Sequence, residues 1–377
     1  MDESADRSRG SGRWRPGSIL LAAASLLLTL AFIEAGMRLL GFEPLKSLAR
    51  GKDLVLRVSR DPDIRYELIP GTSGRAFKTD VEVNRMGFRG PEPSGDPHRR
   101  VIVSIGDSIA FGSELPAGTA YPEQLREPLA ARDSRFELIN LALSGYDTLQ
   151  ELAVLKRHGL AFQPEVVLLG YCLNDAGIVS ANAEYLNRIE RYRSSPWMAR
   201  SRVVQFVVSS LDRLQGRSYQ EEQNRPSVFR ENYRQQIDPI GADERELARW
   251  MSLSPDRHPS DWYRDADRVG RIRFAFRQLG ALAEDRGFRV LVVIFPWLET
   301  DAGGAYPHRM AHRIVAQEAR RQGLQVLDLL EAFEQAGLNR LRNDPEDPVH
   351  PGPEGHRLAA RGIVAWMQGA GWLSPLP

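Results

Sequence analysis

Cysteine is almost missing from this chain of 377 residues, where Cys172 stands alone. An intramolecular disulfide and a cysteine-based metal cluster are therefore excluded, and so is a lipoprotein anchor, because no cysteine follows the hydrophobic N-terminal run. Lysine is nearly as scarce: Lys46, Lys52, Lys78 and Lys156 stand against a large excess of arginine. Charge of one sign is lacking as well. Lys and Arg total 50 and Asp and Glu 49, so the net charge of +1 gives no general attraction for nucleic acid, and no basic stripe is interleaved with aromatics. There is no internal repeat, no low-complexity tract and no Gly-rich phosphate loop. With 42% hydrophobic and 26% charged residues, the composition is that of a globular protein.

What stands out first is the segment from Pro16 to Ile33, which carries no charge and reads SILLAAASLLLTLAFI at its heart. It nearly spans a hydrocarbon core of ~30 Å, and Leu39, Leu40 and a tilt extend it. Arg7, Arg9, Arg13 and Arg15 precede the run, so the positive-inside rule keeps residues 1–16 in the cytoplasm as a tail. Residues 17–40 are then expected to be a transmembrane signal anchor in the inner membrane, with everything after them extracytoplasmic. The alternatives are a buried core helix, or a cleaved signal peptide and a secreted protein, for which Glu34 beside Ala35 makes a poor cleavage site.

Residues 41–100 are rich in Pro, Gly and charge and read as an extracytoplasmic spacer that packs on the catalytic domain. Within them Val81-Glu82-Val83 alternates like an edge strand. Asn84 to Gly90 reads as a turn whose glycines take positive φ, with a substrate or anion contact by Arg85 or Arg89 as the alternative. From Val101 strand and helix patterns alternate. Strands are expected at Val101–Ile105, Phe136–Leu143, Glu165–Cys172, Arg289–Pro296 and Gln325–Leu330. Helices are expected at Thr119–Arg132, with the Thr119 hydroxyl capping the first turn, and at Asp147–His158, Ala266–Arg286, Tyr306–Gln322 and Pro353–Met367. Such alternation implies βαβ crossovers and a mainly parallel sheet covered on both faces. Residues 101–377 form this domain. The stretch 176–265 is too long for a simple crossover, and Trp197, Met198, Phe206, Trp250 and Trp262 mark it as a helical insertion or cap.

Four short segments carry chemistry, each just beyond a strand, where open α/β sheets collect active-site groups. Ser108 in Gly106-Asp107-Ser108 is a candidate nucleophile, which needs a base to take its proton. His350 in Asp347-Pro348-Val349-His350 is that candidate base. Asp347, three residues earlier on the same Pro/Gly-rich loop, is placed to hold its Nδ1, with Asp344 and Glu346 as nearby competitors. An oxyanion hole is available from the Ser108 N–H, the Gly145 N–H and the Asn174 side-chain amide. Taken singly, each has a structural reading: a capping serine, a turn glycine, a helix cap. His308 and His312 are spaced for zinc, yet no glutamate lies between them and no third ligand is evident, so no metal is expected.

Together the four segments resemble the SGNH/GDSL hydrolases, whose blocks bear Ser, Gly, Asn and His: here Ser108, Gly145, Asn174 with Asp175, and His350 followed by Gly355-His356. The resemblance implies a three-layer α/β/α, flavodoxin-like fold and serine-dependent ester hydrolysis without a cofactor. One departure is Cys172, where the family often has glycine two positions before the asparagine; it narrows the wall beside Asn174 and removes no catalytic group. The expectation is a membrane-anchored extracytoplasmic esterase acting on O-acyl groups, acetyl above all, of envelope or extracellular carbohydrate. A polysaccharide O-acyltransferase using the same acyl-serine chemistry, a lipase or phospholipase, and a non-catalytic envelope scaffold are the alternatives. The oligomeric state is left open.

Overall fold

The computed structural model describes residues 16–42, 44, 55–177, 200–214 and 259–374. Helix α1 (Pro16–Leu39) comes first; its residues 17–39 are apolar, exposed and numerous enough to cross a membrane by length and composition. Two antiparallel hairpins follow, β1 (Leu56–Val58) with β2 (Tyr66–Leu68) and β3 (Ser73–Ala76) with β4 (Thr79–Glu82). Strand β5 (Arg100–Gly106) then leads through the single turn α2 (Ser108–Phe111) and α3 (Tyr121–Ala130) to β6 (Phe136–Asn140), α4 (Thr148–Arg157) and β7 (Val166–Cys172). Helices α5 (Arg202–Leu214) and α6 (Pro259–Trp262) are the described helices of the expected 176–265 insertion. Trp197, Met198 and Trp250 lie outside the described residues. The chain ends with α7 (Ala266–Arg286), β8 (Arg289–Phe295), α8 (Arg309–Arg321), β9 (Gln325–Asp328), α9 (Leu330–Ala336) and α10 (Pro353–Gly369).

These elements form two compact units, one of residues 1–49 with 189–215 and one of the rest. In the second unit five strands pair in parallel in the order β6-β5-β7-β8-β9. That is the flavodoxin-like order, with the switch point between β5 and β7. Strands β5, β7 and β8 are buried along nearly their whole length, as a parallel sheet covered on both faces requires. Helices α4, α7 and α8 pack on one another in sequence, while α10 packs on α3 and α9. At the amino edge Arg100 pairs with Glu165 (2.8 Å) and Asp133 (3.1 Å), and Arg289 with Glu165 (2.6 Å), fixing the starts of three strands. The carboxyl edge is left free for the four segments.

The segment before residue 100 is part of this unit's core. Val55, Ile64, Tyr66, Phe77, Val81 and Phe88 are buried in the same apolar cluster as the sheet. Tyr66 donates its hydroxyl to the Ser144 carbonyl (2.7 Å), and Tyr146 returns a bond to the Tyr66 carbonyl (2.6 Å). The Asn84–Gly90 segment is a turn: Asn84 Oδ1 accepts from the Met86 and Phe88 amides at 3.0 Å, and Gly87 and Gly90 take φ of 91° and 125°.

Two local expectations give way. Thr119 does not cap α3; its hydroxyl donates to the Pro116 carbonyl (2.7 Å), because the helix starts two residues later with Ala120 at the N-cap. The Tyr121 amide donates instead to Nδ1 of His356 at 3.0 Å. Strand β6 stops at Asn140 rather than Leu143. There Asn140 Oδ1 accepts from the Ala142 amide (3.2 Å) and Nδ2 donates to the Ala110 carbonyl (2.9 Å), turning the chain under α2.

Gly106 and Gly170 face each other across the β5–β7 ladder. A Cβ on Gly106, at φ 157°, would stand 2.6 Å from Ala110 Cβ and 3.1 Å from the Gly170 carbonyl. Gly106→Ala is therefore expected to lower stability by roughly 1–3 kcal/mol, the usual cost of overpacking. Denaturant unfolding checks this, with a fall in midpoint at unchanged slope as the expected result.

Candidate active site

Ser108 is the first residue of α2, and the turn that presents it is built around Asp107. The Asp107 side chain is fully buried, and its Oδ1 caps the short helix by accepting the Ile109 amide at 3.0 Å. Four residues on, Gly112 leaves the helix at φ 79°, where a Cβ would meet Ala120 Cβ at 2.7 Å. The orphan carbonyls at that end are held by Arg89, whose guanidinium donates to Phe111 (2.9 Å), Gly112 (2.7 Å) and Leu115 (3.0 Å). Arg89 thus holds the Ser108 turn, and its many bonds lie within the protein.

The structure brings His350 and Asp347 to Ser108. His350 Nε2 lies 2.9 Å from Ser108 Oγ, and its Nδ1 lies 2.6 Å from Asp347 Oδ2. Asp347 Oδ1 accepts the Val349 amide (2.8 Å) and the His350 amide (3.3 Å), so the four-residue loop closes on its own carboxylate. Asp344 is used otherwise: its Oδ1 accepts the Glu346 amide at 3.0 Å. The buried, neutral His356, one turn into α10, makes a backbone bond to Pro351 as well as accepting from Tyr121, which ties this loop to α3. Burial and the nearby His350 charge push His356 down to about 3.

Burial also works against the His350 charge, but the Asp347 hydrogen bond and carboxylate, with Asp107 and Glu114 adding to them, hold its pKa above the ordinary 6.5. Asp347 is opposed by its own burial and still drawn down to about 2 by His350 and the two backbone amides. The Ser108 hydroxyl has a second acceptor, Asp107 Oδ2, at 3.1 Å. One proton serves two acceptors: with His350 charged, Nε2–H points at Oγ and the hydroxyl turns to Asp107, while with His350 neutral the hydroxyl turns to Nε2.

Gly145 follows β6 in a turn at φ 85°, a conformation glycine adopts without strain, and its N–H has no acceptor among the described residues. Asn174 is the second residue of the short turn Leu173–Ala176 after β7, and its Nδ2 donates to Asp107 Oδ2 at 3.3 Å. Reversing the amide would set its oxygen against the Asp107 carboxylate, so this orientation is the one chemistry permits. One Nδ2 hydrogen remains for another acceptor. Cys172 is fully buried in β7, and burial raises its thiol well above the ordinary range, so it stays protonated.

A cleft of about 400 Å³ opens at His350 and Ser144, walled by Arg75, Phe77, Lys78, Ser113 and Glu114. The wall is the β3–β4 hairpin, whose two-residue tip, Phe77 and Lys78, takes φ of 51° and 59°; Glu114 opposite sits at 65°. Such turns ordinarily use Asn-Gly, and the two bulky residues there, with Glu114 opposite, mark stored strain beside the cleft. Phe77 packs edge-on against Phe111 of α2 (5.4 Å), and Lys78 pairs with Glu114 at 2.6 Å. Sequence reading missed Lys78, Glu114 and the role of Asp107; only Asp107, inside the GDS triplet, had a local signal. A larger cleft of about 570 Å³, lined by Arg57, Ser59, Asp61, Asp63, Glu67 and Lys156 among others, shows no serine bonded to a histidine among the described residues; its Ser59 hydroxyl donates to Glu67 at 2.8 Å.

His308 and His312 are already engaged: His308 Nε2 with Glu299 (2.5 Å), and His312 with Asp328 (2.8 Å) and the Tyr306 hydroxyl (2.9 Å). Glu114, Asp347 and His350 bring ligand-type atoms within 4.8 Å of one another, but there His350 is committed to Ser108 and Asp347.

Asp107→Asn keeps an oxygen to cap Ile109 but turns an NH₂ toward the Asn174 amide. Losing the fixed orientation of one oxyanion donor is expected to lower kcat by roughly 10- to 100-fold. Steady-state kinetics should show this with KM within about twofold, because a group acting only in the transition state leaves ground-state binding intact.

A family model of GDSL-like lipases and acylhydrolases matches residues 104–358. No curated protein matches the chain. Among solved structures it is similar to LAE5, an alpha/beta hydrolase enzyme from the metagenome of Lake Arreo, Spain, at 16% identity and a TM-score of 0.41, over 73% of this chain and 97% of that one. It is similar also to the acetyl xylan esterase AlAXEase, at 14% identity and a TM-score of 0.40, over 71% and 98%. The lipase/acylhydrolase from Enterococcus faecalis gives 16% and 0.40 over 74% and 98%. The family match spans more than half of the chain and runs from the middle of β5 into α10, so that the chain belongs to the GDSL-like lipase/acylhydrolase family.

Proposed function

We propose that this hydrolase is a membrane-anchored, extracytoplasmic esterase that removes small acyl groups, acetyl above all, from hydroxylated envelope or extracellular carbohydrate. The observation that carries the catalytic reading is the two-sided engagement of His350, 2.9 Å from Ser108 Oγ and 2.6 Å from Asp347. Ser108 Oγ attacks the ester carbonyl carbon as its proton passes to His350 Nε2, and Asp347 holds the imidazole and balances its charge. The oxyanion receives the Ser108 and Gly145 amides and the free Nδ2 hydrogen of Asn174. Collapse expels the alkoxide, which takes the proton from Nε2 and leaves as the alcohol. Water then attacks the acyl-serine, giving its proton to His350. The carboxylic acid departs as the proton returns to Ser108.

The cleft walls favour a polar alcohol. Arg75, Lys78, Ser113 and Glu114 offer donors and acceptors to sugar hydroxyls, whereas a long acyl chain would need an apolar groove. The exposed apolar surface of α1, following four arginines, supports the anchor and its orientation.

Hydrolysis of chromogenic esters of increasing acyl length tests this reading. Acetyl esters are expected to be cleaved fastest, and Ser108→Ala and His350→Ala each to lose at least roughly 10³-fold in kcat. Full activity in Ser108→Ala would end the serine mechanism, a preference for long chains would point to lipid esters, and transfer to an added sugar in place of hydrolysis would make the enzyme an acyltransferase. Because the base must be neutral and its pKa is raised, the acid limb of kcat/KM is expected above pH 6.5, the ordinary value. Asp347→Asn removes the carboxylate that raises it, so the limb should move to lower pH.

A further inference from the structure

In the first unit the outer end of α1 is bonded to the start of α5. Glu34 accepts the Ser201 hydroxyl (3.0 Å) and the backbone amides of Arg202 (3.1 Å) and Val203 (2.9 Å). Those amides are the orphan donors of a helix N-terminus, so a side chain of one helix caps another that is 168 residues away in sequence. Arg38 donates to Glu34 (2.8 Å) and to the Arg200 carbonyl, and Arg202 donates to the Phe42 carbonyl at 2.6 Å. Phe42 meets Phe206 edge-on at 6.2 Å. Along all of residues 17–42 only Glu34, Gly36 and Met37 lose part of their exposure, which confines the contact to this end.

Helix α5 is inverted relative to a helix of a water-soluble surface. Val203, Val207 and Leu211 share one face at i, i+4 and i+8; Val207 is 47% and Leu211 48% exposed, while Gln205 is 9% exposed. Phe206 adds a further 41% exposed ring. A soluble helix turns its apolar side in and its glutamine out.

We propose that α5 is an interfacial helix, lying in the outer surface of the bilayer that α1 crosses, with Val203, Val207 and Leu211 in contact with lipid. The proposal rests on α1 being retained as an anchor. Glu34 lies five residues before the end of α1, about 8 Å along its axis at the helical rise of 1.5 Å per residue. Interfacial helices sink their apolar face ~5–10 Å into the boundary of headgroups and acyl chains, so Glu34 sets the start of α5 at that depth. A carboxylate at such depth is normally expensive; four donors from Ser201, Arg202, Val203 and Arg38 meet it here.

The test uses the full chain in vesicles of phosphatidylethanolamine and phosphatidylglycerol. Val207→Cys, Leu211→Cys and, as a control on α10, Glu354→Cys are each labelled with an environment-sensitive fluorophore; Cys172 is fully buried and stays unlabelled. Labels at 207 and 211 are expected to be quenched by lipids spin-labelled near the headgroup and shielded from aqueous iodide, with the reverse at 354. Iodide quenching at 207 and 211 equal to that at 354 overturns the proposal, and so does shielding from both quenchers, which would mean that protein covers the face. Ester hydrolysis by the same samples is a separate readout. Its absence with lipid contact intact would sink the esterase reading alone, while loss of the first forty residues on N-terminal sequencing would remove the anchor on which the proposal stands.

Discussion

Two glycines facing each other across β5 and β7 set the geometry on which the site depends. Gly106 leaves its strand where Gly170 has no side chain, and the Tyr121 hydroxyl fills the space that a Gly170 Cβ would need, at 2.4 Å. The chain can then reverse into α2 within one residue, so Asp107 is fully buried and Ser108 meets His350, which lines the cleft. Both ends of that turn are closed by polar bonds rather than by apolar packing: Asp107 caps the start and Arg89 holds the final carbonyls. The sheet order does the rest for three of the four segments, since the turns after β5, β6 and β7 emerge along one edge; the Asp347–His350 loop, expected just beyond a strand, instead follows α9 and a short turn at Leu338–Leu341.

Asp107, Glu151 and Asp175 form a set of buried carboxyls that act on one another, and isolated charge in a protein interior is costly. Glu151 has no hydrogen-bond partner for either oxygen among the described residues, and burial, with the charges of Asp175 and Asp107, pushes it well above the usual carboxylate range. Burial raises Asp175 in the same way, with Asp107 adding to it, although Thr148 donates to it at 2.8 Å. Burial thus favours the protonated form of both. The cations nearby serve a different end: Arg268 and Arg271 of α7 donate to the carbonyls of Ala176 and Gly177 (3.0 and 2.7 Å), and Arg271 also pairs with Asp147, the cap of α4. The turn carrying Asn174 is therefore fixed from behind by guanidinium groups and from the front by Asp107.

Much of this was legible in the sequence where the signal is local. Apolar runs ending in Gly106-Asp107-Ser108 or Cys172-Leu173-Asn174 mark buried strands leading to polar turns, and the Asp347–His350 spacing is a property of four consecutive residues. What stayed hidden depends on partners far apart in the chain. Arg89 meets α2 some twenty residues on, Asp107 meets Asn174 across the sheet, and His356 replaces Thr119 as the partner of α3. The hairpin tip was hidden for another reason: Phe77 and Lys78 carry no turn signature, and their left-handed backbone is imposed by the contacts of Phe77 with Phe111 and of the Phe77 carbonyl with the Glu114 amide (2.9 Å). The segment before residue 100 looked like a spacer because its apolar residues are scattered singly among Pro and Gly, yet those single residues complete the core.

The bond from Tyr121 to His356 has a bearing on biosynthesis. It joins a helix near the middle of the chain to the last helix, and the loop that delivers His350 hangs from the same histidine. Ser108 and its strand are synthesised well before His350, which arrives with the segment leading into α10. The pairing of Ser108 with His350 therefore forms only once α10 has docked on α3.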